Sequence, residues 1–269
     1  MSEQSSPDYP IEEFWRSLLT TGHNASTQRQ KRFFRHLHAH HRCRICYAPF
    51  DGVGAPVVRV VFDKRPSNLN PNLCTDCENV ARRYQGGAEI ELSMLFVDIR
   101  GSTTLAEGMS VSEFTRLIDR FYRVATDVMI RTDAMIDKLA GDQVAGMYVP
   151  GLAGVQHARR AITAAQDILR ETGHADPGGP WVPLGAGVHT GTAYVGSVGS
   201  KDGAVDFTVL GDAANTAARL SSNAKRGEIL ISQSSYLNAG LALGDLETRS
   251  LTLKGKSERV SVHVLTRYS

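Results

Sequence analysis

Two aspartates beside glycine-containing turns are the residues with the clearest potential for chemistry. Asp98 lies near the end of the apolar run 89–99, which is typical of a buried strand. Asp142 follows Gly141 in a predicted hairpin, and pairing of that hairpin with the 89–99 strand would bring the two carboxylates together. Mg2+ and Mn2+ bind few carboxylates and complete their shell with substrate phosphates. Either aspartate alone is more typical of ordinary turn chemistry, so the predicted metal site depends on the pair.

The turn that follows Asp98 has the composition of an anion-binding loop. Residues 99–104 are Ile-Arg-Gly-Ser-Thr-Thr, a run rich in small residues that leads into a helical segment. Such a turn directs backbone N–H groups toward a bound anion. A phosphate held there would lie beside the two predicted metal ligands.

The segment 206–220 is a second candidate. Strand periodicity places Asp206 and Thr208 on one face, and the chain then turns into a helix for which Asp212 is the expected N-cap. Asn215 and Arg219 are four residues apart and share one face of that helix. An amide beside a guanidinium can orient a ribose and hold a phosphate with two hydrogen bonds. Two such residues alone would also suit a polar surface stripe.

Four cysteines form two Cys-x-x-Cys pairs, Cys43 with Cys46 and Cys74 with Cys77, which 27 residues separate. Four converging thiolates make a tetrahedral site for one Zn2+ or for an iron–sulfur cluster. Zinc is favoured by the spacing within each pair, although the gap exceeds the usual zinc-ribbon spacing of about 15–20 residues. A redox or cluster sensor, reversible disulfides and a purely structural metal are the alternatives. Upstream histidines could substitute as ligands, but a histidine run beside arginines is more typical of a solvated face: His36, His38, His40 and His41.

Composition excludes several classes of protein. The 269 residues are 42% apolar and 22% charged with a net charge of +2, which fits neither a disordered acidic tail nor a general nucleic-acid binder. No apolar run approaches the roughly 18 residues of a membrane span. The first ten residues are polar and do not resemble a secretion leader. We therefore expect a cytoplasmic protein without a membrane partner.

Patterning divides the chain into three zones. We expect a helical, basic arm over 1–42, a four-cysteine metal-binding module over 43–88 with a strand at 57–61, and a larger domain over 89–269.

In the larger domain a Ser110/Glu113 capping box begins one helix and the apolar stripe 155–169 indicates another. The predicted hairpin pairs 134–138 with 144–149. Further strands are expected at 183–190, 193–198, 205–210, 228–231, 250–253 and 260–265. This order predicts an α+β fold with helices on one face of the sheet.

Five ordered segments together resemble the motifs of the class III nucleotidyl cyclases. They are FVDIRGST (96–103), DKLAGDQVAGMY (137–148), GAGVHTGTAYVGSVG (185–199), DFTVLGDAANTAARL (206–220) and LKGK (253–256). The resemblance covers about 89–265. It implies a ferredoxin-like cyclase domain, with helices packed on a mixed or antiparallel sheet, that works as a dimer with composite sites.

The resemblance also implies a role for each motif residue. Asp98 and Asp142, with the Ile99 backbone carbonyl, would hold two Mg2+ or Mn2+ ions on one protomer. The other protomer would supply Lys138 and Thr208 to read the purine. Asn215 would position the ribose and Arg219 would stabilise charge on the α-phosphate. The remaining substrate contacts would be Ile99, Gly101, Ser102, Thr103 and Lys254. One chain fills every role, so the expected partner is a second copy.

The implied function is an adenylate cyclase that converts ATP to 3′,5′-cyclic AMP and pyrophosphate. Lys138 suits the N1 acceptor of adenine, where guanylate-selective members typically have Glu. Many family members have Asp at the position of Thr208, and Thr there is typical of a bacterial adenylate cyclase subgroup. We expect this replacement to loosen the discrimination between ATP and GTP. Regulation by the cysteine module is an open hypothesis. The alternatives are guanylate or other nucleotidyl cyclase activity, a non-catalytic cyclase-fold metal or redox sensor, and a metal ribbon for nucleic acid or protein; nucleic acid is disfavoured because aromatic residues are few in the basic arm.

Overall fold

A computed structural model describes residues 11–22, 25–39, 41–68, 73–199, 205–241, 243–254 and 259–266. Within these residues, no helix has the length and apolar character that crossing a membrane requires. The helices are α1 (Ile11–Thr20), α2 (Ala25–Arg35), α3 (Ala55–Phe62), α4 (Thr75–Arg83), α5 (Ser102–Glu107), α6 (Val111–Arg131), α7 (Pro150–Ala153), α8 (His157–Glu171), α9 (Asp212–Asn223) and α10 (Gln233–Ala239). The strands are β1 (Gly86–Ile99), β2 (Met135–Ala140), β3 (Gln143–Tyr148), β4 (Leu184–Gly199), β5 (Val205–Leu210), β6 (Ile229–Ser232), β7 (Glu247–Leu251) and β8 (Val260–Leu265).

One mixed sheet forms the centre of the molecule. Its order is β2-β3-β1-β4-β6-β8-β7, and β5 pairs with β4 off this path. Every pairing is antiparallel except that of β4 with β6. The two strands expected at 183–190 and 193–198 are a single strand, β4. The backbone continues through Gly191 and Thr192 because β1 pairs with it there, at Leu92 and Glu91.

Helices cover both faces of this sheet, so the prediction that they lie on one face is wrong. Alternate residues of β1 point to opposite sides: Val97 packs in the cluster with Phe121 of α6, whereas Phe96 packs in the cluster with Trp15 of α1. The second cluster also contains Ala217 of α9. A strand that is apolar on both faces, as β1 is, needs cover on both. The catalytic candidates on α9 therefore lie across the sheet from α6.

The helix starting after Ser110 and the hairpin around Gly141 are confirmed. Ser110 caps α6 through a complete capping box in which its hydroxyl accepts from the Glu113 N–H and the Glu113 carboxylate accepts from the Ser110 N–H. Strands β2 and β3 join at Gly141, whose φ of +60° places it in the left-handed region that glycine adopts without strain. The hairpin thus holds Asp142 at the start of β3.

The strand expected at 57–61 is wrong, because this segment is helix α3. Pro56 lies in the first turn of α3, where its missing N–H costs no hydrogen bond. Val58 is fully buried while Val60 and Val61 are exposed, which is helical rather than alternating burial. The β-branched composition predicted a strand, but the proline at the helix start and the packing of Val58 with the cysteines decide the structure.

The two N-terminal zones pack onto the larger domain. In α1, Trp15 and Leu19 are buried against the sheet, and the Trp15 indole donates to the Tyr84 carbonyl at 2.6 Å. Phe34 of α2 and Tyr47 join the cysteines in one apolar cluster that includes Ile130 of α6. The cysteine module is therefore in direct contact with the elements that carry the candidate active site.

Candidate active site and metal centre

The two metal-ligand candidates are neighbours, as the hairpin predicts. Asp98 of β1 pairs with Gln143 of β3. The N–H of the next residue, Ile99, donates to the Asp142 carbonyl at 3.0 Å. Burial raises the pKa of Asp98, the Arg100 guanidinium lowers it, and the negative charge of Asp142 raises it. Arg100 lies 2.6 Å from the Asp98 carboxylate. Two half-buried carboxylates that repel each other form a set of hard oxygen donors that fits Mg2+ or Mn2+.

The turn after Asp98 has the geometry of a phosphate cradle. Gly101 adopts φ +68°, and a Cβ there would meet nothing within 4 Å, so the turn is open on that side. Ser102 and Thr103 begin α5, and the first N–H groups of a helix have no helical carbonyl to bond. These groups lie beside Asp98 in the chain, as expected for a phosphate that bridges turn and metal.

Lys138 and Thr208 come together through a residue that the sequence analysis missed. Thr208 Oγ1 donates to Asp137 Oδ1 at 2.9 Å, and Lys138 Nζ lies 3.6 Å from Asp137 Oδ2. The register of β2 against β3 shifts between Ile136 and Lys138, so Asp137 is the extra residue of a β-bulge. Its only sequence signal is a carboxylate in a strand next to Lys138. The bulge turns that carboxylate into the sheet, where it is 3% exposed.

Asn215 and Arg219 lie on α9, which starts one residue earlier than expected. Gly211 is the N-cap, with φ +133°, and Asp212 is the first helical residue, so the assignment of Asp212 as N-cap is wrong. Only glycine readily adopts that φ, which fixes the turn at Gly211. Asn215 is exposed and Arg219 is half-buried. In the described part of the chain, neither side chain bonds to Asp98, Asp142, Lys138 or Thr208.

Lys254 follows β7 and is exposed. Residues 255–258, which complete the LKGK motif, lie outside the described residues. A phosphate contact by Lys254 therefore stays a prediction.

The four cysteines form one cluster. Their sulfur atoms all lie within 4.8 Å of one another, with Cys46 Sγ 3.6 Å from Cys74 Sγ. The Cys74 N–H donates to Cys43 Sγ at 3.3 Å. Burial raises the pKa of Cys43, but hydrogen bonds from the other three thiols outweigh it and hold that pKa well below its ordinary value. The same hydrogen bonds hold the pKa values of Cys46 and Cys77 well above their ordinary value, so the metal assignment depends on the geometry, in which four sulfur atoms converge within the reach of one ion.

The sulfur separation can be compared with the geometry of a single bound ion. Four thiolates around one tetrahedral ion at about 2.3 Å lie about 3.8 Å apart. The Cys46–Cys74 separation of 3.6 Å agrees with that value. The donor set therefore fits a metal ion held by four thiolates. Among the described residues the cluster contains no histidine; His36, His38 and His41 lie outside it, and His40 is not among the described residues.

Two lysines place positive charge beside the cysteines. Lys31 of α2 is 5% exposed; burial lowers its pKa, and negative charge on Cys77, Cys46 and Cys43 raises it. Lys64 pairs with Asp76, and both line the same cavity of about 210 Å3 as Lys31, Cys46 and Cys77. A divalent ion with four thiolates carries excess negative charge, which a buried ammonium offsets.

Comparison with known proteins agrees with this geometry. Residues 87–266 match the adenylate and guanylate cyclase catalytic domain family. Adenylate cyclase 1 of Rhizobium meliloti is 33% identical over 135 residues, covering 48% of this chain and 20% of that relative. This chain therefore spans about a fifth of that curated relative's length.

Solved cyclase structures have the same fold. The guanylyl cyclase Cya2 has a TM-score of 0.61 and 25% identity, over 67% of this chain and 93% of that one. The adenylyl cyclase CyaB from P. aeruginosa has a TM-score of 0.57 and 26% identity, over 66% and 95%. The fold is that of a class III nucleotidyl cyclase domain. The chain belongs to the adenylate and guanylate cyclase catalytic domain family, with a cysteine cluster in its N-terminal region.

Proposed function

We propose that this protein is an adenylate cyclase that converts ATP to 3′,5′-cyclic AMP and pyrophosphate. The observation that carries the proposal is the pairing of Lys138 with Thr208 around one carboxylate, because it forms a base-reading unit with a strong donor. The neighbouring carboxylates of Asp98 and Asp142 supply the metal ligands that the reaction needs. The resemblance to adenylate cyclases of bacteria supports the same substrate.

The residues of the chain provide binding, orientation and charge. Asp98, Asp142 and the Ile99 carbonyl would hold two Mg2+ or Mn2+ ions, which when bound favour loss of the ribose 3′-hydroxyl proton and neutralise the leaving pyrophosphate. The 3′-oxygen attacks the α-phosphorus while the bond from that phosphorus to the β-phosphate oxygen breaks. Asn215 orients the ribose and the Arg219 guanidinium stabilises charge on the α-phosphate.

A homodimer completes the site. Asp98 and Asp142 lie at one end of β1, whereas Asn215 and Arg219 belong to a helix whose side chains do not bond to them in the described part of the chain. All the required residue types occur in one chain, so two copies would form two equivalent composite sites. A partner of different sequence is not needed.

Lys138 supplies most of the selectivity for ATP. An ammonium donates to N1 of adenine, whereas guanine has an N–H at that position and would leave the ammonium facing another donor. Replacement of Lys138 by glutamate should weaken that preference. We expect the ratio of kcat/KM for ATP to that for GTP to fall by at least about tenfold, which corresponds to about 1.4 kcal/mol.

The measurement is steady-state kinetics on both nucleotides with Mn2+. Arg59→Glu is the matched control, because it makes the same charge change on the exposed face of α3 and should leave the ratio at the wild-type value. An unchanged ratio in Lys138→Glu would show that the base is read elsewhere.

The cysteine module binds one Zn2+ and is the regulatory candidate. Arg44, within the first Cys-x-x-Cys pair, donates to the Asp137 carbonyl at 2.8 Å, and Tyr47 donates to the Ala134 carbonyl at 2.6 Å. Both acceptors lie in or next to β2, the strand that carries Lys138. A change in the metal centre would therefore reach the base-reading strand through two hydrogen bonds. A cytoplasmic location stays a prediction of the sequence.

Product analysis tests the proposed function. Purified full-length protein is incubated with ATP or with GTP and Mn2+, and the products are identified by mass. Cyclic AMP with pyrophosphate in equal amounts is the expected result from ATP. Cyclic GMP from GTP as the main product would support a guanylate cyclase instead. Absence of any cyclic nucleotide would contradict the catalytic assignment.

A further inference from the structure

Asp137 is a buried carboxylate whose two oxygens face the two base-reading residues. Oδ1 accepts the hydrogen of the Thr208 hydroxyl at 2.9 Å, and Oδ2 lies 3.6 Å from Lys138 Nζ. Oδ2 is buried and has no hydrogen-bond partner in the described part of the chain. Asp137 is 3% exposed, so leaving this carboxylate uncompensated would be costly. A strand interior does not need such a group for packing.

The contact determines which way the Thr208 hydroxyl points. A threonine hydroxyl has one hydrogen to donate and two lone pairs that accept. An ionised carboxylate only accepts, so the hydrogen of Thr208 is directed toward Asp137. What Thr208 then offers to a ligand is a lone pair. Without Asp137 the same hydroxyl could donate or accept and would not discriminate.

That polarity matches adenine and opposes guanine. Adenine carries an amine at C6, which donates, whereas guanine carries an oxygen there, which accepts. A hydroxyl fixed as an acceptor pairs with the amine and faces the guanine oxygen with a second acceptor. The nearby Lys138 ammonium supplies the complementary donor. One carboxylate can therefore set the hydrogen-bonding direction of Thr208 and the position of the Lys138 ammonium, which is a donor in every orientation.

The position of Asp137 is itself held by the cysteine module. The bulge between Ile136 and Lys138 turns the carboxylate inward, and the Arg44 guanidinium bonds to the backbone carbonyl of Asp137 at 2.8 Å. Burial raises the pKa of Asp137, whereas the charge of Lys138, a hydrogen bond from the Val209 N–H and the charge of Arg44 lower it. These contacts hold it in place before any nucleotide binds.

We propose that Asp137 is a positioning residue for base selectivity, which fixes Thr208 as an acceptor and holds the Lys138 ammonium beside it, toward adenine. This inference rests on the proposed nucleotidyl cyclase function. It concerns the choice between ATP and GTP and not the metal-dependent step. Replacing Asp137 should therefore change the ratio of the kcat/KM values for ATP and GTP. Asp137 itself does not need to touch the nucleotide.

Asp137→Asn is the direct test, because an amide of the same shape can present a donor to Thr208 and release its hydrogen toward the base. The full-length variant is assayed with ATP and GTP in the presence of Mn2+. We expect the ATP-to-GTP ratio of kcat/KM to fall at least about tenfold, with the activity on GTP retained or increased. Asp245→Asn, a change of the same kind at an exposed loop position, should leave the ratio unchanged.

A double-mutant cycle separates positioning from a merely structural role. Thr208→Val removes the hydroxyl that Asp137 orients, so adding Asp137→Asn to Thr208→Val should change the ratio much less than Asp137→Asn does alone. Equal effects in both backgrounds, or a wild-type ratio in Asp137→Asn, would overturn the inference. If Asp137→Asn does not fold, the ATP-to-GTP ratios of the variants Thr208→Ser and Thr208→Val provide the test. Loss of selectivity in the valine variant alone supports the oriented hydroxyl, and equal ratios in both refute it.

The same assay separates this inference from the proposed function. Wild-type protein that makes no cyclic nucleotide from either substrate refutes the proposed function and the inference with it. Wild-type protein that prefers ATP, together with an Asp137→Asn variant that keeps this preference, refutes only the role of Asp137.

Discussion

Replacement of Asp98 or Asp142 by alanine is expected to reduce cyclic AMP formation by at least about 100-fold, because each carboxylate is needed to hold the ions that stabilise charge on the reacting phosphates. Asp98 pairs with Gln143, the residue that follows Asp142, so each loss removes a proposed ligand from the same site. The measurement is initial rate at saturating Mn2+ and ATP.

Glu107→Ala is the matched control for these variants. Glu107 is an exposed carboxylate at the end of α5, close to the phosphate turn in sequence, and its loss should leave the rate near that of the wild type. Melting temperatures of all three variants show whether the fold is retained. A rate near wild type in folded Asp98→Ala or Asp142→Ala would refute the metal assignment.

Replacement of Cys74 by alanine is the second change with a large expected effect. Wild-type protein should contain one zinc per chain and be colourless, and the variant should contain none. The metal keeps the remaining cysteines in the thiolate form, so its loss removes the negative charge of Cys77, Cys46 and Cys43 that faces the buried Lys31, at a cost of about 3–5 kcal/mol, or about 10 °C in melting temperature. Metal content is measured by elemental analysis and stability by thermal unfolding.

Val60→Ala is the control for the cysteine variant. Val60 belongs to the same module but is 83% exposed, so its truncation should change stability by less than about 0.5 kcal/mol and leave the zinc in place. Retention of one zinc per chain in Cys74→Ala would contradict the four-cysteine site. Iron with visible absorption in the wild type would show that the centre is an iron–sulfur cluster.

The motif residues could be predicted from sequence because chain turns and strand pairing position them locally. A glycine turn follows Asp98 and another precedes Asp142, and both turns occur where they were expected. The capping box at Ser110 is an equally local signal, and α6 starts there. In these places the residues that form the structure are within a few positions of one another.

The remaining features depend on contacts between distant parts of the chain. Asp137 became recognisable only when β5 brought Thr208 to it, a contact across 71 residues. The helix α3 formed in place of a strand because Pro56 starts it and Val58 packs with the cysteines. Likewise, the second face of β1 is buried by α1 and α9. The residue pattern of β1 and the turns beside it do not show which helices cover that face.

The distance between sulfur atoms could not be read from the sequence either. Two Cys-x-x-Cys pairs allow zinc, a cluster or disulfides. The folded positions of Cys46 and Cys74, 3.6 Å apart, bring the sulfur atoms close enough to bind one metal ion. The charge that stabilises it comes from Lys31, which lies on α2 outside the cysteine segment.

The central claim is a composite active site in a homodimer, and co-expression of two inactive variants tests it most directly. Asp98→Ala and Arg219→Ala place their lesions in different halves of the proposed site, so the mixed dimer would have one intact site. Random pairing predicts recovery of about a quarter of wild-type cyclic AMP formation. Asp98→Ala with Asp142→Ala, which damage the same half, should recover nothing. Absence of recovery in the first pair, with mixed dimers present, would contradict a site shared between two protomers.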